Sequence, residues 1–218
     1  MKKEDIDFAQ GPVDRSHRNG FIPMMVVMLG FTFFSASMWA GGKLGVGLTA
    51  TELFTAVMAG NLILGCYTAF LAAIAARTGL STHLLARYAF GERGSYLPSF
   101  LLGITQVGWF GVGVAMFALP VHKVTGWNMT MLIGVSGMVM TATAWFGIRA
   151  LTILSLFAVP AIASLGFVSV GTALTEFGGL DAWLAKIPEN PMPMFTAVGI
   201  CVGSFISGGT LTPDFTRF

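Results

Sequence analysis

Residues 194–218 read MFTAVGICVGSFISGGTLTPDFTRF. The stretch opens as an apolar helix, but Gly203, Ser204, Phe205, Ile206, Ser207, Gly208 and Gly209 follow. A run so rich in Gly and Ser is expected to unwind, since each interior Gly costs a helix about 1 kcal/mol against Ala. In lipid, free N–H and C=O groups cost several kcal/mol each, so unwound backbone survives only where it lines a protein cavity. The segment therefore predicts an internal site. A second patch of the same kind lies in residues 31–42, FTFFSASMWAGG, with Ser35, Ser37, Gly41 and Gly42 as a candidate break. Interrupted helices at corresponding places of two halves are the sequence pointer to a secondary transporter's binding site. Close helix packing through small residues is the competing explanation, and composition alone leaves both open.

The setting of both patches is a bilayer. Of 218 residues, 55% are hydrophobic and 10% charged, against about 25% charged in an ordinary soluble domain. Stretches without Asp, Glu, Lys or Arg run 19–42, 53–76, 94–122, 124–148, 150–175 and 190–213. Each can hold the about 20 apolar residues of a spanning helix, and a charge at its centre would cost roughly 2.5 to 3.5 kcal/mol. We expect an all-α polytopic membrane protein, one transmembrane domain over 1–218, with a tail at 1–20 and spans at about 21–40, 53–75, 97–120, 129–146, 151–174 and 194–213. That composition excludes a soluble globular enzyme.

The tail carries both signs and lacks the apolar core of a signal peptide. With it cytoplasmic, Lys2, Lys3, Arg15, Arg18, Arg77, Arg87, Arg93, Arg149 and Arg217 fall inside, and Lys43, Lys123 and Lys186 outside, as the positive-inside rule requires. In a bacterium this is the inner membrane. STHLLARYAFGERGS, residues 81–95, reads as an amphipathic inner helix closed by Gly91 and Gly94, with His83 and Arg87 on its solvated face. A turn is expected around Arg149, a kink at Pro160, and a short interfacial helix in GGLDAWLAKIPENPMP, with Trp183 at headgroup depth. Lys43 and Glu52 read as charges that solvate a loop.

Enzyme signatures fail. Gly42 and Lys43 are followed by Leu44 with no strand before them, so no P-loop forms. His17, His83 and His122 stand apart, Cys66 and Cys201 sit in apolar windows, and no metal cluster or disulfide is indicated. What stands out within the spans is Gln106 with Trp109, three residues apart and hence on one helix face. An amide in lipid needs a partner, and a Gln fork matches the edge of a nucleobase. A Trp face can stack on its ring, with Phe205 opposite. A helix–helix bond for Gln106 and plain packing for Trp109 is the bland alternative. The spans present hold no Asp, Glu or His, which favours sodium over protons as a coupling ion. A channel would need a continuous polar stripe, which spans two and four lack.

FTFFSASMWAGG (31–42), TGLSTHLLARYAFG (78–91), TQVGWFGVGVAMFALP (105–120) and GSFISGGTLTPDFTRF (203–218) together resemble the nucleobase–cation symporter family. The resemblance implies the leucine-transporter-like inverted-repeat fold, of which this chain holds the first five-helix repeat and the sixth, broken helix. It implies sodium-coupled import of cytosine by alternating access, with Trp109 and Phe205 sandwiching the base and Gln106, Ser204 and Ser207 bonding its edge. Carbonyls of about Gly30 and Phe33 are implied as half of a sodium site. No cofactor other than sodium as coupling ion, no nucleic acid and a monomer in the lipid bilayer are expected. Members of that family are much longer, so the chain is expected to be truncated, without the eighth helix that would complete the site, and inactive alone. Alternatives are a proton-coupled or broader nucleobase or heterocycle permease, or a non-transporting membrane scaffold fragment.

Overall fold

The computed structural model of the chain describes residues 8–33 and 35–218; Lys2 and Lys3, and the side chains of Ser35 and Arg149, lie outside the described residues. After a 3₁₀ turn at Arg15–His17, the helices are α1 (Phe21–Thr32), α2 (Ser35–Gly47), α3 (Ala50–Thr78), α4 (Thr82–Gly94), α5 (Tyr96–Thr125), α6 (Met129–Trp145), α7 (Gly147–Glu176), α8 (Leu180–Leu184), α9 (Met194–Thr210) and α10 (Thr212–Thr216). Among the described residues three are long and apolar enough to cross a membrane: α3, α5 and residues Ile153–Glu176 of α7, with mean hydropathy 1.8, 1.7 and 2.2. The pair α1 and α2, bent by 54°, makes a fourth. The shorter apolar helices α6 and α9 have 17 residues each.

The first interruption falls inside the 31–42 stretch, and the second falls just past the Gly/Ser run 203–209. Span one leaves the helix at Phe33, with φ −75° and ψ 75°, within the stretch 31–42 and just ahead of its Ser and Gly residues; Gly41 and Gly42 lie inside α2. Residues 203–209 are helical throughout, and the chain turns at Leu211 instead. Pro213 supplies the cause, because it has no N–H to give the carbonyl of Gly209 four residues back. Thr212 takes over that bond, its hydroxyl donating to the Gly209 carbonyl at 2.7 Å. Low helix propensity alone does not unwind backbone in lipid, where each freed peptide group costs more than Gly saves.

Two smaller expectations also need correction. Arg149 is not in a turn: Phe146 alone joins α6 to α7, which starts at Gly147 and runs through Pro160. Glu52 does more than solvate a loop, since its carboxylate accepts from the Thr49 N–H at 2.9 Å while the Glu52 N–H is donated to the Thr49 hydroxyl. This reciprocal pair caps the start of α3. The short helix expected in the outer loop is α8.

The most extensive packing is between α3 and α9. It closes over Leu44, Leu48, Ala56, Ala197 and Cys201. A Cβ on Gly60 would stand 2.4 Å from Cys201 Cβ, so the small residue sets how near the helices come. Gly60→Ala is expected to lower stability by about 1 kcal/mol or more through overpacking, read as a lower thermal midpoint in detergent, with Gly65→Ala, which meets nothing within 4 Å, unchanged. The tail and the chain end meet at the far end of α3: the Val13 N–H donates to Gly79 O, and the Asn19 N–H to Phe218 O. At the start of α3, Lys186 Nζ donates to Gly45 O at 2.7 Å and the Met192 N–H to Gly47 O. Arg18, Arg77 and Arg217 are thus gathered at one end, and Lys186 at the other.

Candidate functional site

A cavity of about 470 Å³ lies where α1, α5, α7, α9 and α10 converge, a size usual for small-molecule sites. Its walls are set by the two interruptions. At the end of α1 the main chain passes close to α7: a Cβ on Gly30 would fall 2.3 Å from Ser155 Oγ, so only glycine lets this hydroxyl lie against the last turn. On α9, Ser204, Phe205, Ser207 and Gly208 face in, and Phe215 of α10 adds to the wall. Phe31 joins them, its ring edge-on to Phe205 at 5.4 Å between centroids and tilted on Phe215 at 4.6 Å. Edge-to-face aromatic pairs hold such a wall rigid.

Every site residue picked from the sequence lines this one cavity: Gln106, Trp109, Ser204, Phe205 and Ser207, with Gly30 and Phe33 at the α1 end. The spacing of Gln106 and Trp109 turns both half-buried side chains to the same face of α5. The Trp109 indole N–H donates to Ser207 Oγ at 2.8 Å, tying α5 to α9. Ser204 donates its hydroxyl to Cys201 O at 2.8 Å and keeps lone pairs for a guest. Ser207, already accepting from Trp109, keeps its own proton to give.

Gln106 Nε2 is buried and has no hydrogen-bond partner among the described residues. Buried polar groups are almost always paired, and an orphan amide costs about 1 to 3 kcal/mol. The lining is otherwise mostly apolar, so the arrangement asks for a flat guest that accepts from Gln106 and Ser207 and donates to Ser204. The last turn of α1 adds carbonyls that lack intrahelical partners. With the Ser155 hydroxyl nearby, those neutral oxygens suit a hard monovalent cation better than a transition metal. Among the described residues no group of three or more His, Cys, Asp or Glu could hold a metal ion.

Several contributors were not foreseen. Phe31 stands in a quoted motif but looks like any apolar residue of a span. Ser155 and Phe215 come from elements whose contact with α1 depends on tertiary packing. A second cavity, about 410 Å³, lies behind the same turn of α9 and shares Ser204 and Phe205 with the first. Asn61 lines it, with Nδ2 donating to Val57 O at 2.8 Å. The signal for Asn61 was the one that marked Gln106, an amide in the middle of an apolar span.

Residues 12–218 match the family described as permease for cytosine/purines, uracil, thiamine, allantoin. The cytosine permeases of Escherichia coli O157:H7 and strain K12 are each 60% identical over 215 residues, 99% of this chain and 51% of theirs. The hydantoin permease of Microbacterium maritypicum is 29% identical over 178 residues, 77% of this chain and 36% of its own. Among solved structures, that of Mhp1, a nucleobase-cation-symport-1 family transporter in a closed conformation with bromovinylhydantoin bound, superposes with a TM-score of 0.86 at 26% identity, covering 95% of this chain and 47% of that one. The chain spans about half the length of the curated relatives it matches. The fold is thus the leucine-transporter-like one, with the first repeat and the sixth helix present, and the chain belongs to the permease family for cytosine/purines, uracil, thiamine and allantoin.

Proposed function

We propose that this chain supplies half or more of the substrate site of a sodium-coupled cytosine symporter in the bacterial inner membrane, with the N-terminus cytoplasmic. One observation carries the reading: the buried amide nitrogen of Gln106, without a hydrogen-bond partner among the described residues, in an aromatic-walled cavity between two interrupted helices. In this reading Trp109 and Phe205 stack on the two faces of the base. Gln106 gives its amide proton to the ring nitrogen or carbonyl, Ser204 accepts from the exocyclic amine, and Ser207 donates to the remaining acceptor. Cytosine offers this mixed edge of two acceptors beside one amine. Gln can present either end of its amide, so related heterocycles such as hydantoins fit the same fork less discriminately; the 29% identity to a hydantoin permease favours this broader reading as the second one.

In this reading sodium sits at the last turn of α1, on carbonyls of Gly30 and Phe33, two residues that line the cavity. An ion there would order the break and the aromatic wall together, and the coupling is reciprocal. Transport then rocks the body of α1, α2, α3, α9 and α10 against α5 and α6, and the bond from Trp109 to Ser207 crosses that divide. The test is equilibrium binding of labelled cytosine to purified protein. Replacing choline with sodium should raise affinity about tenfold, within the usual range of coupling energies. Equal affinity in both buffers would remove sodium from the scheme, and no cytosine binding in either would remove the substrate.

A further inference from the structure

The helix α4 connects the end of α3 to the start of α5, two membrane-crossing helices, and so lies at the membrane surface. Its first turn is fastened: Leu84 is buried, and the Thr82 hydroxyl donates to Thr210 O at 3.1 Å. Its outer face carries His83, Arg87, Tyr88 and Phe90, and Tyr96 follows at the start of α5. Tyr88, Phe90 and Tyr96 are 81%, 63% and 66% exposed, as aromatic residues are at headgroup depth.

The tail crosses beside this helix as a strap, and it is firmly held. Val13 is 1% exposed and its N–H donates to Gly79 O at 2.9 Å. Arg18 donates to Val13 O and, at 2.6 Å, to Ala76 O, while Arg217 donates to Phe8 O at 3.0 Å. Gly79 has φ +74°, and a Cβ there would strike Arg18 Nη2 and the Val13 main chain at 2.6 to 2.9 Å. Between strap and helix remains a cavity of about 300 Å³, bounded by Gln10 and Pro12 on one side and by Leu80, Leu84, Arg87 and Tyr88 on the other.

The cations of this end divide by how their guanidinium groups are used. Arg18 and Arg217 are committed to main-chain carbonyls. Arg87 has no hydrogen-bond or ion-pair partner among the described residues, and it is the cation that opens into the cavity. A guanidinium fork is matched to phosphate oxygens. Tyr88 and the Gln10 amide add polar groups, and Leu80 and Leu84 add an apolar wall. We propose that this cavity binds the phosphodiester head group of an anionic phospholipid, with Arg87 on the phosphate and the glycerol carbons against Leu80 and Leu84. One cation near a membrane surface contributes little alone. A lipid already confined to the same surface supplies the effective concentration that a soluble phosphate lacks.

The experiment is native mass spectrometry of the purified protein in detergent, titrated with phosphatidylglycerol or phosphatidylcholine. The expected result is about fivefold more phosphatidylglycerol retained, the scale of one Arg at a membrane surface. Arg87→Gln should erase that preference, while Arg77→Gln, a nearby arginine outside the cavity, should leave it intact; helicity by circular dichroism checks that both variants fold. Equal retention of the two lipids by the unaltered protein, or equal losses in both variants, would overturn the site. Inorganic phosphate added at millimolar level should not displace the lipid. Displacement would mean the cavity takes a soluble phosphate, and the lipid proposal would fall.

Discussion

Trp109→Ala is expected to weaken cytosine binding by between about thirtyfold and several hundredfold, while helicity stays unchanged. Two losses combine. Stacking of a base on an aromatic side chain is worth roughly 1 to 3 kcal/mol, and the indole also fixes Ser207 through the 2.8 Å bond to its hydroxyl, worth about 1 kcal/mol net. The two can be separated. Trp109→Phe keeps an aromatic face and removes only the N–H, so it should cost no more than about fivefold; Ser207→Ala should cost more, roughly tenfold to thirtyfold, since it deletes the acceptor of the same bond together with one donor to the substrate. The measurement is displacement of labelled cytosine in sodium buffer. If Trp109→Ala binds within twofold of the unaltered protein, the ring is wall and not platform, and the sandwich with Phe205 is wrong.

What could be read from the sequence, and what could not, divides along a physical line. The bilayer is a harsh solvent, so charge must leave the spans, and the six charge-free windows follow from that requirement whatever the tertiary structure. Gln106 was legible for the same reason: an amide at depth demands a partner, and three residues on a helix place Trp109 beside it. Both breaks were legible in existence, the first also in position, at Phe33 within 31–42, while the second was placed in 203–209 and lies at Leu211. Gly and Ser mark where helices lie close, as at Gly208, where an added Cβ would meet Phe31 at 3.3 Å. The actual turn at Leu211 follows from Pro213 and its missing donor. Phe31, Ser155 and Phe215 were not legible, because nothing in their own neighbourhoods distinguishes them from lipid-facing residues. They acquire a role only when α1, α7 and α10 are brought together, which local patterning does not encode.

The orphan amide leads to a prediction in which two measurements move in opposite directions. Gln106→Leu replaces a buried donor that has no partner among the described residues with an apolar group of similar length. Leaving such a donor unpaired costs about 1 to 3 kcal/mol, so the substrate-free variant should be the more stable one, by about 1 kcal/mol or more, seen as a raised thermal midpoint in detergent. Cytosine binding should fall by about tenfold to a hundredfold, because the same amide is the group that reads the edge of the base, and a hydrogen bond of that kind is worth about 1 to 3 kcal/mol in discrimination. Cytosine should consequently stabilise the unaltered protein against heat and leave the variant nearly unaffected, as ligand linkage requires. A residue kept for structure would lose stability on this change. A residue held unsatisfied for a ligand gains stability and loses the ligand. If Gln106→Leu lowers the midpoint without cytosine, the amide bonds within the protein and is not reserved for substrate, and the edge-reading role passes to Ser204 and Ser207 alone.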